Sequence, residues 1–279
     1  MISDPILYLQ NELSGFYTSD EIKSLTYLIL KEVCDLPFYE IVSRKFNDLS
    51  DVQDKKIQDI VERLKKYEPL QYIFGKTVFF GMEFNTNPFV LIPRPETEEL
   101  IEWVLSENNV PNPRILDICT GSGCIAIVLA KKISGAELHA WDISSTALEV
   151  AKLNARKNEV EIVFRCVDVL KENCDDTIFD IMVSNPPYVT EKEKQEMKPN
   201  VLQYEPPEAL FVPNDNPLIF YERISDRALR QLNKGGKLYF EINCNYGRQM
   251  VSLLEKKGFS HVELRKDISK NDRMIRAIK

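Results

Sequence analysis

Apolar residues recur at helical spacing through the first quarter of the chain. In SDEIKSLTYLILKEVCDL, residues 19–36, Ile22, Leu25, Leu28, Ile29 and Val33 fall on one stripe, behind a Ser19 or Asp20 able to cap the helix. LSDVQDKKIQDIVERLKKYEPLQYIFG, residues 49–75, repeats that spacing until Pro69 ends it. Residues 1–75 are therefore expected to form a small helical domain, serving either as packing support or as a docking surface. At Lys76 the period shortens. KTVFFGMEFNTNPFVLI, residues 76–92, is rich in strand formers and contains an Asn-Thr-Asn-Pro turn, so residues 76–93 are predicted to be a β-hairpin linking two domains.

PRPETEELIEWVLSENN follows as a helix starting near Pro95, with Glu96, Glu98 and Glu99 at its positive end. From Pro113 onward apolar strands alternate with amphipathic helices. The strands are RILDI, ELHAWDI, EIVFRCV, FDIMVSN and GKLYFEIN, and two more, HVELRKD and RMIRAIK, close the chain. Repeated βα units predict an α/β fold over residues 94–279, with a doubly wound, mostly parallel, seven-stranded sheet. Only a short turn separates the closing pair, which implies an antiparallel edge strand.

Composition narrows the partners. The formal charge of −7 argues against broad capture of nucleic acid, so a protein or small-molecule partner is the first expectation. The six cysteines (Cys34, Cys119, Cys124, Cys166, Cys174 and Cys244) form no CxxC pair, and the histidines are His139 and His261 alone. No metal site and no disulfide framework are expected, and reduced thiols suit the cytoplasm. The opening MISDPILYLQ lacks the basic-then-apolar order of a secretion signal. No apolar run approaches the ~18 residues of a membrane span either, so no membrane association is expected.

The chemistry gathers at the carboxyl ends of the strands. RILDI runs into CTGSG, which places Asp117, Cys119, Thr120, Gly121, Ser122 and Gly123 at the turn before a helix, where glycines let a ligand approach free N–H groups. A dinucleotide fingerprint would have glycine where Cys119 stands. Asp142 ends the second strand, placed either to accept the two hydroxyls of a ribose or to cap the next helix. Asp168 ends the third, with Val169 beside it, and Asn185 ends the fourth. Four polar strand ends in order describe one nucleoside-sized crevice. At the fourth, Asn185-Pro186-Pro187-Tyr188 removes two backbone donors and fixes φ twice, making either a stiff loop that holds a side chain still or a plain strand exit.

Over roughly residues 85–279 this assembly resembles the class I S-adenosylmethionine-dependent methyltransferases. An acidic Asp117 before the glycine loop favours a sulfonium cofactor over a pyrophosphate. Asn-Pro-Pro-Tyr resembles the signature of enzymes that methylate a planar nitrogen, either a base amine or a carboxamide. EPLQYIFG (68–75), LIPRPETE (91–98) and YEPPEALF (204–211) are further similar to segments of the PrmC/HemK family, and the similarity then spans nearly the whole chain. That resemblance implies methylation of the glutamine in the Gly-Gly-Gln motif of peptide chain release factors, with S-adenosylmethionine as cofactor.

It also implies roles for residues. Asp117, Cys119, Thr120, Gly121, Ser122, Gly123, Asp142, Asp168, Val169 and Asn185 would bind cofactor. Asn185, Pro186, Pro187 and Tyr188 would hold the glutamine: the Asn185 and Pro186 carbonyls accept its two N–H groups and Tyr188 covers its face. Three features depart from the family pattern: Cys119 in place of a glycine, Val169 where some relatives carry an aromatic, and FVPNDNPLIFYERI in place of a glycine-rich loop. Three rival readings are a base amino-methyltransferase acting on RNA or DNA, a non-catalytic S-adenosylmethionine-binding adaptor and a NAD oxidoreductase. The first needs a basic face.

Overall fold

The computed structural model of the protein describes residues 2–43, 48–171 and 177–279. Cys174 lies outside the described residues. The chain divides into two compact units, Met1–Phe74 with Lys198–Tyr204, and Gly75–Met197 with Glu205–Lys279.

The first unit is helical: α1 (Pro5–Leu13), α2 (Ser19–Cys34), α3 (Phe38–Ser43), α4 (Asp51–Leu64) and α5 (Leu70–Phe74). Its core is built from Leu9, Leu13, Ile29, Leu30, Ile57 and Val61. The cap of α2 is Thr18 rather than Ser19 or Asp20. A capping box needs Glu or Gln three residues after the cap, and only Thr18 has one there, in Glu21, whose carboxylate accepts the Thr18 N–H at 2.9 Å. Ser50 and Gln53 repeat the device at α4. Tyr204 joins the late segment to this unit by donating its hydroxyl to the Lys66 carbonyl at 3.0 Å.

The second unit opens with a hairpin of β1 (Lys76–Phe79) and β2 (Met82–Asn85). Its turn is Phe80-Gly81, not Asn-Thr-Asn-Pro. A type I′ turn, one of the two that match strand twist, needs positive φ at both central positions, and here they are 51° and 72°. Phe79 and Phe84 carry the hairpin into the core, ring edge to face. The buried Asn154 fastens the end of β2 by accepting from the Asn85 N–H at 2.7 Å and donating to the Asn85 carbonyl at 3.1 Å.

Next come α6 (Pro95–Glu107), β3 (Arg114–Ile118), α7 (Cys124–Lys132), β4 (Glu137–Asp142), α8 (Ser145–Lys157), β5 (Val163–Cys166), β6 (Phe179–Ser184) and β7 (Val189–Thr190). The chain ends with α9 (Pro199–Tyr204), β8 (Phe211–Val212), α10 (Ile219–Gln231), β9 (Leu232–Glu241), α11 (Gly247–Lys257), β10 (Ser260–Lys266) and β11 (Asp272–Ile278). Seven strands form one sheet in the order β10-β11-β9-β6-β3-β4-β5. The run from β9 to β5 is parallel, and the apolar central strands β3 and β6 are buried along nearly their whole length. The antiparallel strand is not at the edge. Crossing over through α11 sets β10 parallel to β9 but one strand-width away, and β11 turns back into that gap, pairing antiparallel with both.

Strand order reverses between β3 and β6, so the crevice opens beyond their carboxyl ends. Ser184 stitches the two exits together by donating its buried hydroxyl to the Ile118 carbonyl at 2.6 Å.

Candidate active site

A cavity of about 380 Å³ lies at those strand ends. Its apolar lining includes Val90, Ile118, Trp141, Ile143, Val169 and Phe220. Cys119, Thr120, Gly121, Ser122, Asp142, Asp168, Asn185 and Pro187 also line it, so most of the residues expected from the sequence converge. Asp117, Gly123, Pro186 and Tyr188 are not among its lining residues.

Asp117 is fully buried beneath the glycine loop. Its Oδ2 accepts the Thr120 hydroxyl at 2.6 Å and the Ala126 N–H at 3.3 Å, so it braces the loop against the start of α7. Burial pushes its carboxyl up to about 7, against the lowering effect of those two bonds. Cys119 takes the left-handed conformation a glycine would take, with φ of 62°, at a cost of about 1–2 kcal/mol for a residue with a Cβ.

Gly121 and Gly123 also have positive φ, but their surroundings differ. A Cβ on Gly121 meets nothing within 4 Å, whereas one on Gly123 would lie 3.1 Å from both the Ala151 Cβ and the Ile127 Cδ1. Both Gly→Ala changes pay the backbone cost, and only Gly123→Ala adds crowding. Gly123→Ala is expected to lower the melting temperature by about 4–8 °C and Gly121→Ala by about half that. Equal shifts in thermal melts would show that crowding at α7 contributes nothing.

Asp142, at the tip of β4, accepts the Gly121 N–H at 2.8 Å through Oδ2 and the Ser144 N–H at 2.9 Å through Oδ1. It is not the cap of α8, because Ser144 fills that position and accepts the Ala147 N–H. Asp142 also lines the cavity. Burial raises the Asp142 carboxyl, and the Ser144 and Gly121 bonds oppose the rise. Asp168 accepts the Leu170 N–H on Oδ1 and meets Lys171 through Oδ2 at 3.0 Å.

The Asn-Pro-Pro-Tyr loop is clamped to the end of β9. Asn185 donates its Nδ2–H to Thr97 Oγ1 at 3.3 Å, and Thr97 donates its hydroxyl to Glu241 Oε2 at 2.6 Å. Tyr188 donates its hydroxyl to Glu241 Oε1 at 3.1 Å, and Asn243 donates to the Tyr188 carbonyl at 3.1 Å. Glu241 is 1% exposed. Burial raises its carboxyl, with Thr97, Arg273 and Tyr188 holding it down. The Tyr188 hydroxyl is pushed far above its ordinary range by burial and by Glu241 beside it.

Thr97, Glu241 and Asn243 are functional candidates that the sequence reading passed over. A glutamate inside the apolar run LYFEI was the available signal, since a buried charge needs partners. The mouth has a second clamp. Arg94 meets the buried Glu205 at 2.5 Å, and Glu205 also accepts the Ile92 N–H at 3.4 Å, which joins segment 91–98 to segment 204–211.

Comparison with known proteins agrees with this architecture. Residues 9–75 match the PrmC N-terminal domain and residues 97–210 the methyltransferase small domain. Among solved structures, a methyltransferase from Pyrococcus furiosus aligns with a TM-score of 0.53 at 18% identity, covering 72% of this chain and 91% of that one. A Thermus thermophilus 16S rRNA methyltransferase in complex with AdoMet and guanosine aligns at 0.54 and 19% identity, covering 73% and 49%. At these identities they speak for the fold alone. The release factor glutamine methyltransferase of Flavobacterium psychrophilum is 46% identical over 95% of this chain and 94% of its own length. That of Bacteroides thetaiotaomicron is 44% identical over 97% of each. With such identity sustained across both units, the chain belongs to the release factor glutamine methyltransferase family.

Proposed function

We propose that this protein transfers a methyl group from S-adenosylmethionine to the side-chain amide nitrogen of the glutamine in the Gly-Gly-Gln motif of peptide chain release factors, in the cytoplasm. Residues 1–75 are assigned to docking the factor, residues 76–93 to the connection and residues 94–279 to the reaction. The observation that carries the reading is the orientation of Asn185. With its Nδ2–H given to Thr97, the carbonyl oxygen is left for a ligand at the cavity.

The residues present fit the cofactor. Asp142 would accept the ribose hydroxyls, the backbone of the loop from Cys119 to Gly123 would lie close against the ligand, Asp168 would meet the adenine amine, and Val169 would lie against the ring. When bound, S-adenosylmethionine supplies the methyl group as an activated electrophile.

The chain's task is to present a poor nucleophile. An amide nitrogen shares its lone pair with the carbonyl, so it reacts only when held in place. The Asn185 side-chain carbonyl and the Pro186 backbone carbonyl would accept its two N–H groups, and the Tyr188 ring, fixed through its hydroxyl, would bear on its flat face. Two prolines keep those acceptors from swinging away. This is positioning and electrostatic catalysis: no base is needed before transfer, and the methylated nitrogen sheds one N–H proton to solvent afterwards.

Incubating an intact release factor with the enzyme and S-adenosylmethionine, followed by peptide mass spectrometry, is expected to show one added methyl on that glutamine. A short Gly-Gly-Gln peptide should be methylated far more slowly. No methyl on the factor would overturn the activity, and equal rates on peptide and factor would remove the docking role.

A further inference from the structure

We propose that Thr97 and Glu241 are positioning residues that fix which way round the Asn185 amide faces, and so set its hydrogen-bonding polarity toward the substrate. The inference rests on the reading of Asn185 given above.

The reasoning is a count of protons. A carboxylate has none to give, so Glu241 can only accept, and it takes the Thr97 hydroxyl proton on Oε2 and the Tyr188 hydroxyl proton on Oε1. Thr97 has a single proton. Once that proton points at Glu241, its oxygen can offer Asn185 only a lone pair, so the group facing it must be the Nδ2–H. Turning the amide over would set the Asn185 carbonyl oxygen against the Thr97 oxygen with no proton between them.

The polarity therefore runs in one direction, from the Asn185 N–H to Thr97 and from the Thr97 O–H to Glu241. Its outer end is the Asn185 carbonyl at the cavity. Thr97 and Glu241 are 2% and 1% exposed, so water is not at hand to substitute for either. Arg273 supplies the opposing positive charge that lets a carboxylate sit there. The same carboxylate holds the Tyr188 hydroxyl, so one buried group orders both polar side chains of the loop.

The test is a double-mutant cycle. Thr97→Val keeps the shape but cannot accept from Asn185, and it is expected to lower kcat about 10–50-fold. S-adenosylmethionine affinity by calorimetry should change less than twofold, and the melting temperature should stay within a few degrees. Thr97→Ser is expected to recover most of the rate. In an Asn185→Ala background Thr97→Val should cost no further rate, because the group it orients is gone. Glu241→Gln, which can accept only one of the two hydroxyl protons, is expected to lower kcat in the same way and serves as a second variant.

A loss from Thr97→Val that persists undiminished in the Asn185→Ala background would assign Thr97 to structure and overturn the proposal. So would full activity of Thr97→Val in an enzyme that Asn185→Ala inactivates, while leaving the role of Asn185 intact. Full activity of Asn185→Ala itself would remove both.

Discussion

Asn185→Ala is expected to lower turnover on a release factor by ~10²–10³, the usual effect of deleting one preorganised polar contact at a reacting centre. The loss should fall on kcat, because in the proposed mechanism the amide aims a nitrogen and docking of the protein substrate is assigned to residues 1–75. The fold should survive. Asn185 stands at the exit of β6, and that exit stays pinned by the Ser184 hydroxyl on the Ile118 carbonyl. Asn185→Asp is a sharper probe, since a carboxylate has no N–H to give and would face the Thr97 oxygen, whose proton is already committed to Glu241. It should be nearly as inactive as the alanine variant even though it can still accept a hydrogen bond. Tyr188→Phe should also cost activity, because it leaves Glu241 Oε1 without the hydroxyl that satisfies it in a buried setting. Methyl transfer to an intact factor followed by mass spectrometry reads all three. Wild-type turnover in Asn185→Ala would return Asn-Pro-Pro-Tyr to a proline-stiffened strand exit.

Much of this site was legible because doubly wound sheets deliver the ends of their strands to one edge. Asp142, Asp168 and Asn185 each terminate an apolar run, and the cavity collects all three. What stayed hidden depends on contacts between residues far apart in the chain. Thr97 and Glu241 are separated by 144 positions, and neither looks unusual in its own window except for a glutamate among apolar neighbours. Direction was hidden too. Asp117 precedes the glycine loop as a ligand-binding carboxylate would, yet its side chain turns beneath the loop to Thr120 and Ala126. The hairpin turn was misplaced because Asn-Thr-Asn-Pro is a strong turn signal, whereas Phe80 at a positive φ is a poor one that Gly81 and strand twist impose. The position of β11 follows from a crossover width that no short window encodes.

Asp142→Ala is expected to weaken S-adenosylmethionine binding by about 10–150-fold, or ~1.5–3 kcal/mol, the range for losing hydrogen bonds to a charged group. Two effects combine in that figure. The direct one is loss of the acceptors for the ribose hydroxyls. The indirect one is release of the glycine loop, because the Gly121 and Ser144 N–H groups both end on this carboxylate. Asp142→Asn separates isostery from chemistry. An amide of the same shape has one accepting end, so whichever way it turns, its NH₂ group meets a backbone donor at either Gly121 or Ser144. It should therefore bind cofactor almost as poorly as the alanine variant, where a merely steric role would leave it close to wild type. Stability should fall only modestly in both, since the β4 backbone keeps its pairing to β3 and β5. Titration calorimetry beside a thermal melt distinguishes the cases. Unchanged affinity in Asp142→Ala would take the residue out of the cofactor site, and a melting temperature that collapses along with affinity would make the glycine loop, rather than the ribose, its principal client.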